Sequence, residues 1–251
     1  MMPRLARRGP ELVEWMDAGL GTEAEVAGAY RELERVNLRL GGYRATVGPL
    51  RELLGREPEA DLSILDVAGG DGRSAVQLVE RLASPRARVT AWVLDMGPLS
   101  TALAARRVSA GGRIMAVRGD ARRLPFPDRS VDVVHSAAFL HHLGVDDACD
   151  VLVEMCRVSR RFVLVNDLVR SWIAAGSIWV LTRLLSENRL IRHDGPLSVL
   201  KAFRPEELLR LARAGGPSVG GFRWRLERSF PYRMTLIGAR VAGPPPRDPP
   251  G

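Results

Sequence analysis

The sequence predicts an α/β fold: a doubly wound, mostly parallel seven-stranded sheet with an N-terminal helical extension and a helical cap insertion after strand five. Three observations carry that prediction. A short apolar run, a glycine turn and a helical pattern follow one another across residues 62–82, the opening of a βαβ unit. Apolar runs then alternate with helices or loops as far as residue 167, the rhythm of parallel strands joined by crossovers. After Asp167 that rhythm breaks into a mostly helical stretch before two closing strands.

Taken in order, Val26, Tyr30, Leu33, Asn37 and Leu40 recur at helical spacing until Gly41-Gly42 stops the helix, and a second short helix runs through Val47 to Leu54. Residues 1–60 are therefore read as a helical lid. LSILDV (62–67) is the first strand, Ala-Gly-Gly-Asp-Gly its turn, and Ala75, Val76, Leu78, Val79 and Leu82 the buried side of the next helix. Further strands are expected at 88–95, 112–120, 130–137 and 161–167, which completes a core over 61–167. A helical segment, 168–203, follows as a cap. The remaining core, 204–242, holds a helix at 205–214 and strands near 222–228 and 233–241, and a proline-rich tail, 243–251, is read as disordered.

With 46% apolar and 26% charged residues among 251, the composition is that of an ordinary soluble globular protein. Cys149 and Cys156 lie seven apart in a helical pattern, roughly 10 Å between Cα atoms, which is beyond disulfide reach. The N-terminus has arginines but no apolar segment of a secretory signal, so a cytoplasmic protein is expected. The longest apolar run, Trp172 to Thr182, is too short to span a bilayer and leaves an interfacial or a cap helix open.

The formal net charge is +8, and all but one of the 37 basic residues are arginine, Lys201 being the exception. That skew fits codon bias in a GC-rich genome at least as well as selection for phosphate contacts. Residues 1–60 carry 9 basic and 10 acidic groups, 61–167 carry 14 and 13, and 168–251 carry 14 and 6, so the whole excess lies in the last third.

In an open parallel sheet, ligands bind beyond the carboxyl ends of the strands. The first end reads Asp66-Val67-Ala68-Gly69-Gly70-Asp71-Gly72, small residues that let a ligand approach the backbone at a helix start. Gly70-x-Gly72-x-x-Ala75, with Asp95 at the next strand end, also fits a dinucleotide fingerprint. Against that, Asp66 would set a carboxylate beside an anionic pyrophosphate, whereas it would welcome a cation. Gly119-Asp120 adds another acid where an adenine amino group could be held.

These residues resemble the class I S-adenosylmethionine-dependent methyltransferases, closely over about 62–167 and more loosely to 241. The resemblance implies a Rossmann-like core and S-adenosyl-L-methionine as cofactor. It implies that Asp66, Ala68, Gly69, Gly70 and Gly72 hold the methionine end, Asp95 with Met96 the ribose, and Asp120 with the Ala121 backbone the adenine, with Ser136 beside them. The run GDARRLPFPDRSVDVV followed by FLHHL is similar to the quinone and small-molecule branch, and Ala68 stands where many members have glycine.

His135, His141 and His142 fall at the fourth strand end, and histidine suits removal of a phenolic proton near neutral pH. The segment 132–149 is similar to phenolic O-methyltransferases, whose base would fall at His141, with His142 adjacent. Asn166-Asp167 could orient a substrate or a base, or cap the next helix. In the cap, Trp172, Trp179 and His193, with arginines around them, would suit a flat aromatic acceptor carrying negative charge, or would serve a dimer or core helix instead. No metal is assigned.

The expectation is thus a methyltransferase of small aromatic, phenolic or quinone-type acceptors in secondary metabolism, with O-methylation ahead of C- or N-methylation. A nucleic-acid methyltransferase is disfavoured because strand four lacks the Asn/Asp-Pro-Pro-aromatic sequence and no RNA-binding module is visible. A non-catalytic cofactor-binding protein and a nicotinamide-dependent dehydrogenase are further rivals. A homodimer and membrane-surface contact are left open.

Overall fold

The computed structural model describes residues 12–55, 60–107 and 112–241. The predicted tail at 243–251 and the first eleven residues of the predicted lid lie outside them.

The lid region folds as α1 (Glu23–Arg39) and α2 (Arg44–Leu54). Thr22 and Glu25 form a reciprocal capping box that starts α1, and Gly55 in the left-handed region ends α2. The core then alternates β1 (Leu62–Val67), α3 (Arg73–Leu82), β2 (Val89–Asp95), α4 (Pro98–Arg107), β3 (Ile114–Arg118), β4 (Val131–Ala137), a 3-10 turn (Leu140–His142), α5 (Val145–Val158) and β5 (Ser159–Leu168). Two helices, α6 (Trp172–Leu185) and α7 (Arg189–Lys201), follow. The chain continues through α8 (Pro205–Ala214), α9 (Gly216–Gly220), β6 (Phe222–Ser229) and β7 (Arg233–Arg240).

The seven strands form one sheet in the order β3-β2-β1-β4-β5-β7-β6. The first five are parallel, and β7 enters antiparallel between β5 and β6. Strand order reverses direction at β1 and β4, so their carboxyl ends flank the crevice where such sheets bind ligands. Val67 is in register with Leu94 on one side and Ser136 on the other, which lines up the turn after β1 with Asp95 and Ser136.

Both faces of the sheet are covered, which explains why its central strands read as continuous apolar runs. Ile64, Val93 and Val133 pack against Leu78 and Leu82 of α3 and Leu50 of α2 on one face. On the other, Leu65 and Val134 meet Leu152 and Met155 of α5 and Leu208 of α8. Val76, read from the sequence as buried, is only partly so and packs at the edge of the first cluster. Leu152 is fully buried, and Leu152→Ala is expected to cost about 2–5 kcal/mol in urea unfolding, from lost burial plus a residual cavity.

Candidate active site

The turn after β1 is built for close approach. Ala68, Gly70 and Gly72 have φ of 55°, 59° and 81°, so this alanine adopts the left-handed conformation that glycine favours. A Cβ on Gly69 would stand 2.8 Å from Val93 and 2.9 Å from Asp66 Oδ2, and one on Gly70 would strike the Tyr30 ring at 2.8 Å. Tyr30 of α1 thus lies over the turn, its hydroxyl bonded to Ser100 Oγ at 2.8 Å.

Asp95 binds the turn from the side: Oδ2 accepts from Gly70 N and Oδ1 from Gly97 N, each at 2.9 Å. Burial raises its pKa, the two amides oppose that, and the charges of Asp66 and Asp17 add to the rise. Asp71 is committed elsewhere, accepting from Arg73 at 2.9 Å and Arg107 at 2.8 Å, and Arg73 also pairs with Glu34.

Asp66 is fully buried, and its Oδ1 meets His135 Nδ1 at 2.8 Å. Asp66 Oδ2 and Ser136 Oγ are buried with no hydrogen-bond partner among the described residues. A buried orphaned carboxylate oxygen costs free energy that a cationic donor offsets. The glycine cradle, the orphaned Asp66 and Ser136 oxygens and the raised Asp95 carboxyl therefore fit a small cationic ligand carrying hydroxyls, and S-adenosylmethionine has that chemistry.

The histidines do not form one cluster. His135 is fixed by Asp66 and by Thr46 Oγ1 at 3.3 Å; with Nδ1–H donating to Asp66, its Nε2 accepts the Thr46 hydroxyl. Asn166 Nδ2 donates to the same Thr46 oxygen at 3.0 Å and to Gly42 O at 2.8 Å. Asn166 thus anchors α2 rather than capping the next helix, which Ser171 does through Ala174 N. Its carbonyl side accepts from Arg233 at 3.4 Å, and that guanidinium also reaches Asn37 at 2.6 Å.

His141 is paired with Asp167 of β5. Its Nδ1 lies 2.7 Å from Asp167 Oδ1, its backbone N–H donates to Asp167 Oδ2 at 3.1 Å, and both side chains are buried. Burial alone would raise the Asp167 pKa; the charge and hydrogen bond of His141, with the Leu168 amide, outweigh it and hold the carboxylate low. The adjacent His142 ring, 4.1 Å from that of His141, turns to Asp17 Oδ2 at 2.6 Å.

Asp17 belongs to a segment, residues 12–20, for which no sequence motif pointed to a site. Glu14 meets Lys201 at 3.0 Å and accepts from Ser198 at 2.9 Å; the Trp15 and Met16 amides donate to Asp194 at 2.8 and 3.0 Å. Trp15 stacks on His193 at 4.0 Å, and His193 Nδ1 lies 2.6 Å from Asp194. Donor atoms of Glu14, His141 and His142 lie within 4.8 Å of one another, an arrangement that could take a metal ion, yet the Lys201 ammonium already brings a cation to Glu14.

The His142–Asp17 pair makes docking of this segment pH-dependent. Burial lowers the His142 pKa, but the hydrogen bond of Asp17 and the charge of Glu14 outweigh it, so the net shift is upward. Asp17 shifts downward, its burial outweighed by His142. The pair's contribution is therefore full below His142's unfolded pKa of about 6.5 and is lost as pH rises through the higher folded value. At the acid end it is lost as pH falls through the lowered Asp17 value. Hydrogen exchange at the Trp15 and Met16 amides, corrected for intrinsic rate, is expected to be slowest near pH 6 and to accelerate on the alkaline side.

The other predicted residues are placed as follows. Met96 is 64% exposed, and its carbonyl accepts from Arg118. Asp120 is held by Arg122 at 2.8 Å, with a correspondingly lowered pKa, and Ala121 beside it is buried. Trp172 and Trp179 are 62% and 50% exposed on α6, and neither makes a ring contact with the histidines.

A methyltransferase domain family matches residues 64–161. The demethylmenaquinone methyltransferase of Deinococcus radiodurans is 32% identical over 259 aligned residues, covering 95% of this chain and 96% of that protein. Among solved structures, a SAM-dependent methyltransferase from Aquifex aeolicus matches with TM-score 0.60 at 14% identity, over 88% of this chain and all of that one. An O-methyltransferase family 2 protein from Planctomyces limnophilus, in complex with apigenin, matches with TM-score 0.61 at 14% identity, over 88% of this chain and 62% of that one. The structural matches share the Rossmann-like fold, and the sequence identity extends across nearly the whole of both chains. On that identity the chain belongs to the class I S-adenosylmethionine-dependent methyltransferases, with S-adenosyl-L-methionine as its cofactor.

Proposed function

We propose that the chain methylates a small phenolic or hydroquinone-type acceptor, on oxygen in the first reading, with His141 taking the acceptor's proton. The observation that carries this is the buried His141–Asp167 pair at the carboxyl ends of β4 and β5, one strand from the cofactor turn. Asp66, Ser136, Asp95 and the glycine turn would hold the cofactor, which supplies an electrophilic methyl group on a sulfonium centre.

The remaining work falls to side chains of this protein. Nδ1–H donating to Asp167 fixes the tautomer in which Nε2 is the ring nitrogen able to accept a proton. The Asp167 carboxylate, held low in pKa, stays charged and stabilises the imidazolium that forms. Lys201 and His142 of the same cluster are engaged by Glu14 and Asp17, so proton removal is left to the His141–Asp167 pair. In-line transfer then needs mainly the positioning of two reactants.

A second reading, transfer to a ring carbon, is favoured by the relative named for demethylmenaquinone, a quinone. Both readings begin with removal of a hydroxyl proton, which for a quinone-type acceptor requires its reduced, hydroquinone form; transfer to carbon is completed by loss of the ring C–H proton. Incubating the protein with S-adenosylmethionine and panels of phenols, hydroquinones, amines and RNA, followed by mass spectrometry, tests the class. A gain of one methylene on phenols or hydroquinones is expected, and the loss or retention of a titratable hydroxyl separates O- from C-transfer. Product from amines or RNA alone would contradict the proposal.

A further inference from the structure

The sequence WIAAGSIWVLTRLL of α6 is apolar on nearly every side, a pattern that ordinarily belongs to a buried helix. Yet only Ala174 and Ala175 are buried. They face Val199 of α7, and Gly195 lets Ile178 and Thr182 approach closely. Opposite that narrow seam Trp172, Ile173 and Leu184 are 62%, 70% and 75% exposed, and Leu185 at the helix end is 79% exposed. A second apolar element stands beside the helix start: Val169 N bonds Tyr232 O at 2.9 Å, which brings the β6–β7 turn close, with Phe230 88% exposed at its tip. Single exposed apolar residues need no explanation, but several on one face of one helix do.

Charge decides what covers it. Residues 168–241 carry 13 basic and 5 acidic groups, and although Arg189, Lys201 and Arg225 pair with Glu25, Glu14 and Glu52 from outside the segment, an excess of positive charge remains. Arg183 stacks on Trp179 at 4.0 Å and donates to its carbonyl, Arg192 donates to Ser186 O, and neither has a carboxylate at ion-pair distance among the described residues. A second copy would bring the same excess of positive charge to the contact, whereas an anionic bilayer complements it. At 14 residues, about 21 Å, α6 cannot cross a bilayer, and no described helix is long and apolar enough to do so. An apolar helix with tryptophans and an arginine snorkelling along one of them suits the headgroup boundary instead.

We infer that α6 and the β6–β7 turn form a docking surface for an anionic lipid bilayer, with Trp172, Ile173, Leu184 and Phe230 entering the headgroup boundary and Arg183 and Arg192 meeting lipid phosphates. Asp167, five residues before Trp172, is the penultimate residue of β5, the strand that leads into this surface, so an acceptor bound beside Asp167, as proposed above, would lie near the bilayer face. The inference holds whether or not the acceptor is a phenol.

Cosedimentation with vesicles tests it. The intact chain is expected to bind vesicles of phosphatidylglycerol and phosphatidylcholine in equal parts about tenfold or more tightly than pure phosphatidylcholine vesicles, and less tightly as salt rises. The double variant Ile173→Asp, Leu184→Asp is expected to stay in the supernatant while binding S-adenosylmethionine as the wild type does. Should that variant fail to fold, brominated lipid provides a second measure, quenching wild-type tryptophan emission, and Arg183→Glu lowers anionic-vesicle binding about tenfold. Wild type that ignores both vesicle types, binding that survives the double variant, or a dimer in sedimentation equilibrium dissolved by the same substitutions would overturn the inference, the last by assigning the face to a second copy.

Discussion

Replacing His141 with alanine is expected to lower methyl transfer roughly 10²- to 10⁴-fold, the range for losing a positioned general base, while S-adenosylmethionine affinity stays within about twofold. Asp167→Asn is expected to follow with a comparable direction and a smaller loss. An asparagine keeps the shape but can present an N–H where His141 Nδ1–H now donates, which turns the ring to the wrong tautomer. His142→Ala separates the two histidines. Because His142 is engaged by Asp17 and not by Asp167, its loss is expected to loosen residues 12–20 and to raise KM more than it lowers kcat. Calorimetry with the cofactor, run beside turnover on the identified acceptor, distinguishes these outcomes from misfolding.

The second large effect is expected at Asp95. Both of its oxygens already accept backbone amides, Gly70 N and Gly97 N, so the carboxylate is preorganised before any ligand arrives. An asparagine offers only one oxygen and sets an N–H against one of those amides. Hydrogen bonds to a charged group contribute about 1.5–3 kcal/mol, so Asp95→Asn is expected to weaken cofactor binding about 10- to 100-fold. Met96→Ala, at the neighbouring exposed residue, is expected to change affinity little. The raised Asp95 pKa adds a pH signature. The ionised carboxylate is the stronger acceptor for ribose hydroxyls, so affinity is expected to fall as pH drops through that raised value.

Much of the scaffold was legible in the sequence for reasons the structure makes plain. A parallel sheet covered on both faces needs apolar runs, and LSILDV and RFVLVND supply them at β1 and β5. The turn after β1 was legible because small residues permit its φ values and close approaches, and Asp66 because an acid beside that turn disfavours an anionic ligand.

What the sequence did not reveal depends on long-range contact. Asp17 reaches His142 across 125 residues and Trp15 reaches Asp194 across 179, and no local periodicity encodes such pairs. Tyr30 was grouped with the lid, but its seat over Gly70 needed coordinates. Asn166 and Asp167 looked like one polar pair; successive residues on a strand point to opposite faces, so one ties down α2 while the other holds His141. His135 was grouped with the other histidines, yet its place inside β4, in register with Asp66, turns it to that carboxylate. The short helix α9 was unforeseen because Gly-Pro-Ser-Val-Gly has no helical period.

The most direct test of the His141 assignment uses acceptor acidity. In single-turnover methyl transfer to ring-substituted phenols of decreasing pKa, the ratio of wild-type to His141→Ala rate is expected to shrink toward one once the acceptor is ionised at the assay pH, because no proton then remains to be removed. A ratio that stays constant across the series would contradict the account and reduce His141 to a positioning residue.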